Sequence, residues 1–290
     1  MRIFLLSLSF VILAVAFIYH FAALKLFNAL VPKDAGTELV AEDVPYGPDQ
    51  QQQLDVYRPI QANGPLPILL FVHGGSWRDG ERGGYEFVGR TFAANGYLTL
   101  VMSYRMVPKN RFPDFVSDIA IALAWAGKEG GRYGGDPKRV FSVGHSAGAY
   151  NLAMAVLNKD YLAAAGVEQT SLRGVATMAG PFDFLPLDTR ATIDAFGKYP
   201  DLAATQPVNF ARRDAPPFLL TTGTADTTVF PRNSRALEKK LHDAGGRVEL
   251  REYQGVNHVG ILLALAKPFR KTATPVLADI LAFFAKQDLH

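Results

Sequence analysis

The chain has 290 residues, 49% hydrophobic and 20% charged, with a formal net charge of +3 and no cysteine; disulfides, thiolate metal sites and a cysteine nucleophile are therefore excluded. Its charges are scattered, with no basic block and no basic residues interleaved with aromatics, which argues against a nucleic-acid partner. Apart from an apolar N-terminus, about 250 residues remain, enough for one sizeable α/β domain.

In chain order, the opening segment MRIFLLSLSFVILAVAFIYHFAALKLFNAL carries one Arg and then an apolar run from Ile3 to Tyr19, extendable to Leu24. A bilayer core takes roughly 20 such residues. Ala14-Val15-Ala16 resembles a signal cleavage site, but cutting there leaves a very apolar new terminus. An uncleaved signal anchor over residues 1–30, a membrane-spanning helix, accounts for the whole run. Arg2 and the terminal amine precede it, which places the N-terminus inside and the remainder outside the cytoplasm. The expected location is membrane-anchored with an extracytoplasmic domain, or secreted or periplasmic after cleavage. VPKDAGT, residues 31–37, has the Pro, Gly and charges of a linker, and the folded domain is expected over 38–290.

ELVAEDVPY and QQLDVYRP, separated by GPDQQ, alternate in polarity and predict an antiparallel hairpin. LPILLFV (66–72), YLTLVMSY (97–104), RVFSVG (139–144), LRGVATMAG (172–180), PFLLTTG (217–223) and RVELREY (247–253) follow. These are short and mostly apolar on both faces, as strands of a parallel sheet are. Helical spacing lies between them at Phe112 to Ala126, Ala147 to Leu157 and Asn233 to Ala244, and LADILAFFAK follows the last strand. The alternation predicts an α/β fold: a mainly parallel central sheet, the antiparallel hairpin at its start and helices on both faces. Ligands in such sheets collect at the carboxyl ends of the strands.

Four strand ends supply four chemical parts: HGGSW (73–77), GHSAG (144–148), Asp226 in TADTTV and His258 in QGVNHVG. A serine on a sharp strand-to-helix turn needs small neighbours two residues away on either side, and Gly144 and Gly148 meet that need. The helix that follows aims its free N–H groups and positive end at the site. A serine hydroxyl requires a base within reach, oriented by a third group. Among six histidines, His20 lies in the apolar run, His242 in a charged helix, His290 at the terminus, and His73 and His145 in loops whose backbone matters more. His258 is left as the base. Asp226 ends the strand just before the one leading to His258 and is the expected orienting acid; Asp183 in AGPFDF is its rival. Glycine-rich HGGSW offers main-chain amides for a developing oxyanion.

These residues resemble the α/β-hydrolase superfamily, and within it the serine esterases of the hormone-sensitive-lipase-like and feruloyl-esterase-like branches. The resemblance covers residues 38–290 through LDVYRP, LFVHGGSW, SYR, FPDFVSDIAIALAW, GGDPKRVFSVGHSAGA, GTADTTV and NHVG. It implies an α/β-hydrolase fold and a catalytic triad: Ser146 as nucleophile, His258 as base and Asp226 as acid. The backbone amides of Gly75, Ser76 and Ala147 would form the oxyanion hole. Ser76 stands where the lipase-like branch has a third glycine, which narrows the pocket beside it.

The implied reaction is hydrolysis of a small-molecule carboxylic ester through an acyl-enzyme, without metal or cofactor. HGG-x-W with GHSAGA is also similar to the kynurenine formamidase group, so an arylformamidase is the alternative. A non-catalytic binding module on this fold is disfavoured, because serine, histidine and acid are all retained. A short insertion at 181–216 is expected to form a modest lid, with Phe182, Phe184, Leu185 and Phe196 as candidate pocket walls or, equally, as ordinary packing. A short lid favours small to medium acyl groups.

Overall fold

The computed structural model describes residues 24–270 and 274–288. Eight strands form one sheet: β1 (Thr37–Pro45), β2 (Gln53–Pro59), β3 (Leu66–Val72), β4 (Leu98–Met102), β5 (Gly135–His145), β6 (Leu172–Met178), β7 (Phe218–Gly223) and β8 (Val248–Tyr253). Their spatial order is β1-β2-β4-β3-β5-β6-β7-β8. β1 and β2 make the antiparallel hairpin, from the Thr37↔Pro59 pair to the Pro45↔Gln53 pair. β2 also runs antiparallel to β4, and the remaining pairs are parallel.

The two-sided apolar character of the central strands follows from this placement. In β3, Ile68, Leu70 and Val72 face one core and Leu69 and Phe71 the other, all fully buried; alternate residues of a strand point to opposite faces. The first core is closed by α3 (Asp114–Glu129), α4 (Ala147–Leu157), α5 (Lys159–Ala164) and α7 (Arg232–Asp243), the second by α2 (Glu86–Ala94) and α9 (Val276–Asp288). Each large apolar side chain so buried stabilises the fold by about 1.5–3 kcal/mol. α4 is apolar around its circumference except at Asn151, and every one of its residues is buried. It is a core helix and it carries the candidate serine at its N-terminus.

The membrane-spanning helix expected at the N-terminus is corrected. Among the described residues no helix is long and apolar enough to cross a membrane. The described part of that segment is a short helix, α1 (residues 24–30), docked on the domain. The Phe27 ring meets Phe87 edge-on at 5.4 Å and stacks on Phe269 at 6.3 Å. Asn28 Oδ1 accepts from the Phe87 amide at 3.1 Å, and its Nδ2 donates to the Gly83 carbonyl at 3.0 Å. A buried amide bonded at both ends to the same domain belongs to a protein interface, and the expected membrane-anchored, extracytoplasmic location is corrected together with the spanning helix on which it rested. The rest of that expectation falls on residues 1–23, outside the described residues. The segment after α1 is tied down as well: the Asp34 carboxylate accepts from Arg270 Nη1 at 2.8 Å and Nη2 at 2.5 Å.

Candidate active site

Ser146 sits between the end of β5 and the start of α4, with φ 53° and ψ −122°. A left-handed φ is rare for a residue with a side chain, and two main-chain bonds hold it. The Ser146 amide donates to the Met178 carbonyl at 2.8 Å, and its carbonyl accepts from the Tyr150 amide at 3.1 Å. The flanking glycines are required by contact. A Cβ on Gly148 would lie 2.3 Å from the carbonyl oxygens of Val72 and His73, and one on Gly144 2.7 Å from the Gly148 carbonyl oxygen.

His258 begins α8 (His258–Leu263), just after β8, and Asn257 caps that helix by accepting from the Gly260 amide at 2.7 Å. The imidazole bridges the other two candidates. Its Nε2 lies 2.9 Å from Ser146 Oγ and its Nδ1 2.7 Å from Asp226 Oδ2. Asp226, 2% exposed, also accepts at Oδ1 from the amides of Thr228 (2.9 Å) and Val229 (2.8 Å). Burial is the largest influence on this carboxyl and acts to raise its pKa. The His258 hydrogen bond, the two amides and the His258 charge together outweigh it, so the pKa falls below the ordinary value. An ionised Asp226 only accepts; Nδ1 of His258 therefore carries the proton, and Nε2 presents its lone pair to the serine hydroxyl. The rival acid, Asp183, is exposed, and its main-chain amide donates to Asn233 Oδ1 at 2.9 Å.

The HGGSW loop passes directly over the serine: a Cβ on Gly74 would lie 2.9 Å from Ser146 Cβ. Gly75, Ser76 and Trp77 all have positive φ, at 124°, 54° and 58°. Among the described residues, the amides of Gly75, Ser76 and Ala147 donate to no main-chain carbonyl. Ala147 opens α4, where the first amides have no intrahelical acceptor.

The 181–216 insertion contains α6 (Arg190–Phe196) and two short 3₁₀ turns. Phe182 and Phe196 are fully buried core residues, Phe184 is half-buried, and only Leu185, at 39% exposed, presents a large apolar surface among the four candidate walls. His145, set aside in the sequence for its backbone, turns out to use its side chain: Nε2 reaches the His258 carbonyl oxygen at 3.1 Å. Its position beside the serine was the only signal, and nothing in the sequence gave the direction of the ring. Among the described residues no cluster of three or more His, Asp or Glu could hold a metal ion.

A family model described as BD-FAE matches residues 54–241, which takes in the whole stretch from β2 through the serine turn and Asp226. The chain belongs to the BD-FAE family. This BD-FAE chain is 31% identical over 237 residues to Esterase LipC of Mycobacterium tuberculosis, covering 73% of this chain and 58% of that one. It is 27% identical over 269 residues to a probable isoprenylcysteine alpha-carbonyl methylesterase, ICMEL1, of Oryza sativa subsp. japonica, covering 83% and 61%. The BD-FAE chain thus spans less than two thirds of the length of these curated relatives. Among solved structures, Esterase B from Lactobacillus Rhamnosis (HN001) superposes with a TM-score of 0.81 at 21% identity, covering 98% of this chain and 97% of that chain. A truncated carbohydrate esterase from gut microbiota superposes with a TM-score of 0.78 at 18% identity, covering 90% and 100%. Likeness at such identities concerns the fold: the α/β-hydrolase arrangement of a mostly parallel sheet with helices on both faces.

Proposed function

We propose that this chain is a serine hydrolase of carboxylic esters with small to medium acyl groups, working through an acyl-enzyme. The observation that carries the reading is the unbroken hydrogen-bond chain from Asp226 through His258 to Ser146 Oγ, beside a loop of glycine amides. Ser146 Oγ attacks the ester carbonyl as His258 Nε2 takes its proton. Asp226 stabilises the imidazolium that forms, without itself taking the proton. The negative carbonyl oxygen is met by the amides of Gly75, Ser76 and Ala147, each such donor contributing about 3 kcal/mol. The bond to the leaving alkoxide breaks, and His258 returns the proton to it. Water, deprotonated by His258, then attacks the acyl-enzyme and frees the acid and Ser146.

The reading of an ester as substrate is supported by the names of the curated relatives, which are esterases. The short insertion, with two of its four aromatic or aliphatic candidates spent on the core, supports a modest acyl site.

The deciding experiment measures p-nitrophenyl esters from C2 to C16 on the wild type and on Ser146→Ala in parallel. Hydrolysis is expected to peak among the shorter chains and to fall by roughly 10³-fold or more in the variant. Activity persisting in Ser146→Ala overturns the mechanism, and a peak at C14 or longer overturns the acyl class. Comparing an aryl ester with an N-formyl anilide separates esterase from amide-cleaving chemistry.

A further inference from the structure

Trp77 closes the HGGSW loop, and its indole is a side chain the mechanism above does not use. The loop is strained at two successive non-glycine residues, since Ser76 and Trp77 both have left-handed φ. Such a backbone persists only where its surroundings over-determine it. Main-chain bonds hold part of it, since the Gly75 carbonyl accepts from the amides of Arg78 (3.0 Å) and Asp79 (2.9 Å) and the Trp77 carbonyl from that of Val107 (3.0 Å), and the indole adds a side-chain anchor. Trp77 is 3% exposed, with its ring edge-on to Phe196 at 4.8 Å and to Tyr150 at 5.4 Å. Its Nε1–H donates to Asn151 Oδ1 at 2.9 Å.

Asn151 lies on α4, five residues after Ser146, and is fully buried. Its Nδ2 finds no partner among the described residues. A buried amide with half of its capacity unused is a poor core residue, and an apolar side chain of similar volume would pack there at no greater cost. Its one bond runs from the helix that carries the serine to the loop that faces it.

We infer that Asn151 and Trp77 are positioning residues that fix the Gly75 and Ser76 amides relative to Ser146, through the indole-to-amide hydrogen bond. The inference rests on the reading of Ser146 as nucleophile and of those amides as the oxyanion site. Ser146 and Ala147 sit at the N-terminus of α4, and Asn151 lies one turn further along the same rigid helix. A loop latched to that helix keeps its amides in register with the serine as the carbonyl becomes tetrahedral. An oxyanion site works by being organised in advance, and misplacement by an ångström is costly.

The test is a double-mutant cycle of Asn151→Leu and Trp77→Phe, read by kcat and KM on a short p-nitrophenyl ester. A trifluoromethyl ketone inhibitor, whose adduct places an oxyanion in the site, gives a second reading. Asn151→Leu removes one unpartnered buried polar atom, Nδ2, and creates another, Nε1–H, so its melting temperature is expected to move by less than about 4 °C. Its kcat is expected to fall about 10- to 100-fold, with KM within about 3-fold and ketone affinity falling in step with kcat/KM. Trp77→Phe keeps an aromatic ring and loses the donor, and the double variant is expected to cost no more in kcat than the worse single variant. Wild-type kcat in Asn151→Leu, or losses that multiply in the double variant, would overturn the inference. Ser146→Ala, assayed alongside, separates the two levels: if it is inactive while Asn151→Leu is not impaired, only the positioning role fails, whereas an active Ser146→Ala removes the nucleophile reading itself.

Discussion

The imidazole of His145 lies against that of His258, with ring centroids 4.9 Å apart at 39°, and its Nε2 reaches the His258 carbonyl oxygen at 3.1 Å. A carbonyl only accepts, so His145 carries its proton on Nε2 and its Nδ1 is bare. Burial, then the nearby charge of His258, lowers the pKa of His145 to about 3. It therefore stays neutral while the proposed base gains and loses its proton, and adds no like charge to the imidazolium. The expectation is that log kcat/KM falls on the acid side with a slope of one, reporting one proton. A limiting slope of two above pH 4 would mean that His145 titrates with His258.

Asp226→Asn tests the orienting acid without emptying its site. The asparagine oxygen can keep the two amide bonds now made by Thr228 and Val229 to Oδ1. Its NH₂ group then faces His258 Nδ1, where the carboxylate oxygen accepted a hydrogen bond at 2.7 Å. The ring answers by moving its own proton to Nε2, which can no longer accept from Ser146. A loss in kcat of roughly 10³- to 10⁴-fold is expected, with little change in melting temperature. Asp183→Asn, at an exposed carboxyl, is expected to leave kcat within about 2-fold of wild type. The reverse ranking would move the acid to Asp183.

The sheet and the placement of Ser146, Asp226 and His258 after the ends of β5, β7 and β8 were legible because they are written in local pattern. Strands buried on both faces read as short apolar runs, and the residues after them fall at one edge of the sheet by topology alone. What was not legible depended on packing between distant segments. α2 carries Gly89 in mid-helix, a residue that normally argues against a helix; a Cβ there would lie 2.5 Å from the Tyr57 ring, so close packing on the sheet decides that choice. Phe182 and Phe196 read equally as pocket walls or as ordinary packing in the insertion, and only their full burial in the structure decides for packing. The N-terminal run reads as a membrane span by hydropathy. The hydrogen bonds of Asn28 to Gly83 and Phe87, 55 and 59 residues away, are what place α1 on the domain, and no window of sequence contains them.

Two glycine substitutions separate steric necessity from tolerance. In Gly148→Ala the new methyl would sit 2.3 Å from two main-chain carbonyl oxygens on the neighbouring strand end, where no side-chain rotation can relieve it. Loss of most activity and a destabilisation of at least about 2 kcal/mol are expected. Gly127, exposed within α3, has nothing within 4 Å of a built Cβ. Gly127→Ala is expected to stabilise by about 0.5–1 kcal/mol, with kcat unchanged, because alanine restricts the unfolded chain and favours the helix. Urea melts of both variants check the pair. Equal stabilities would contradict the contact argument.

His73, the first residue of HGGSW, links that loop to acid stability. Its ring lies between Tyr104 (4.6 Å) and Tyr85 (5.4 Å), fully buried. Nδ1 meets the Gly74 carbonyl at 2.7 Å, so Nδ1–H is the donor, and among the described residues Nε2 has no partner. Burial, against a smaller opposing effect of that hydrogen bond, lowers its pKa from 6.5 to about 4. Between those values the unfolded chain binds a proton that the native ring refuses. Stability from this source is therefore undiminished above pH 6.5, declines by about 1.4 kcal/mol per pH unit below it, and levels off near pH 4. His73→Phe keeps a flat ring between the tyrosines and cannot take the proton. Urea unfolding of wild type and His73→Phe at pH 7, 6 and 5 is expected to show the variant losing less stability over that range, by about 1–2 kcal/mol. The other buried groups are common to both proteins and cancel in the difference. Parallel pH dependences would show that His73 does not control the acid limb.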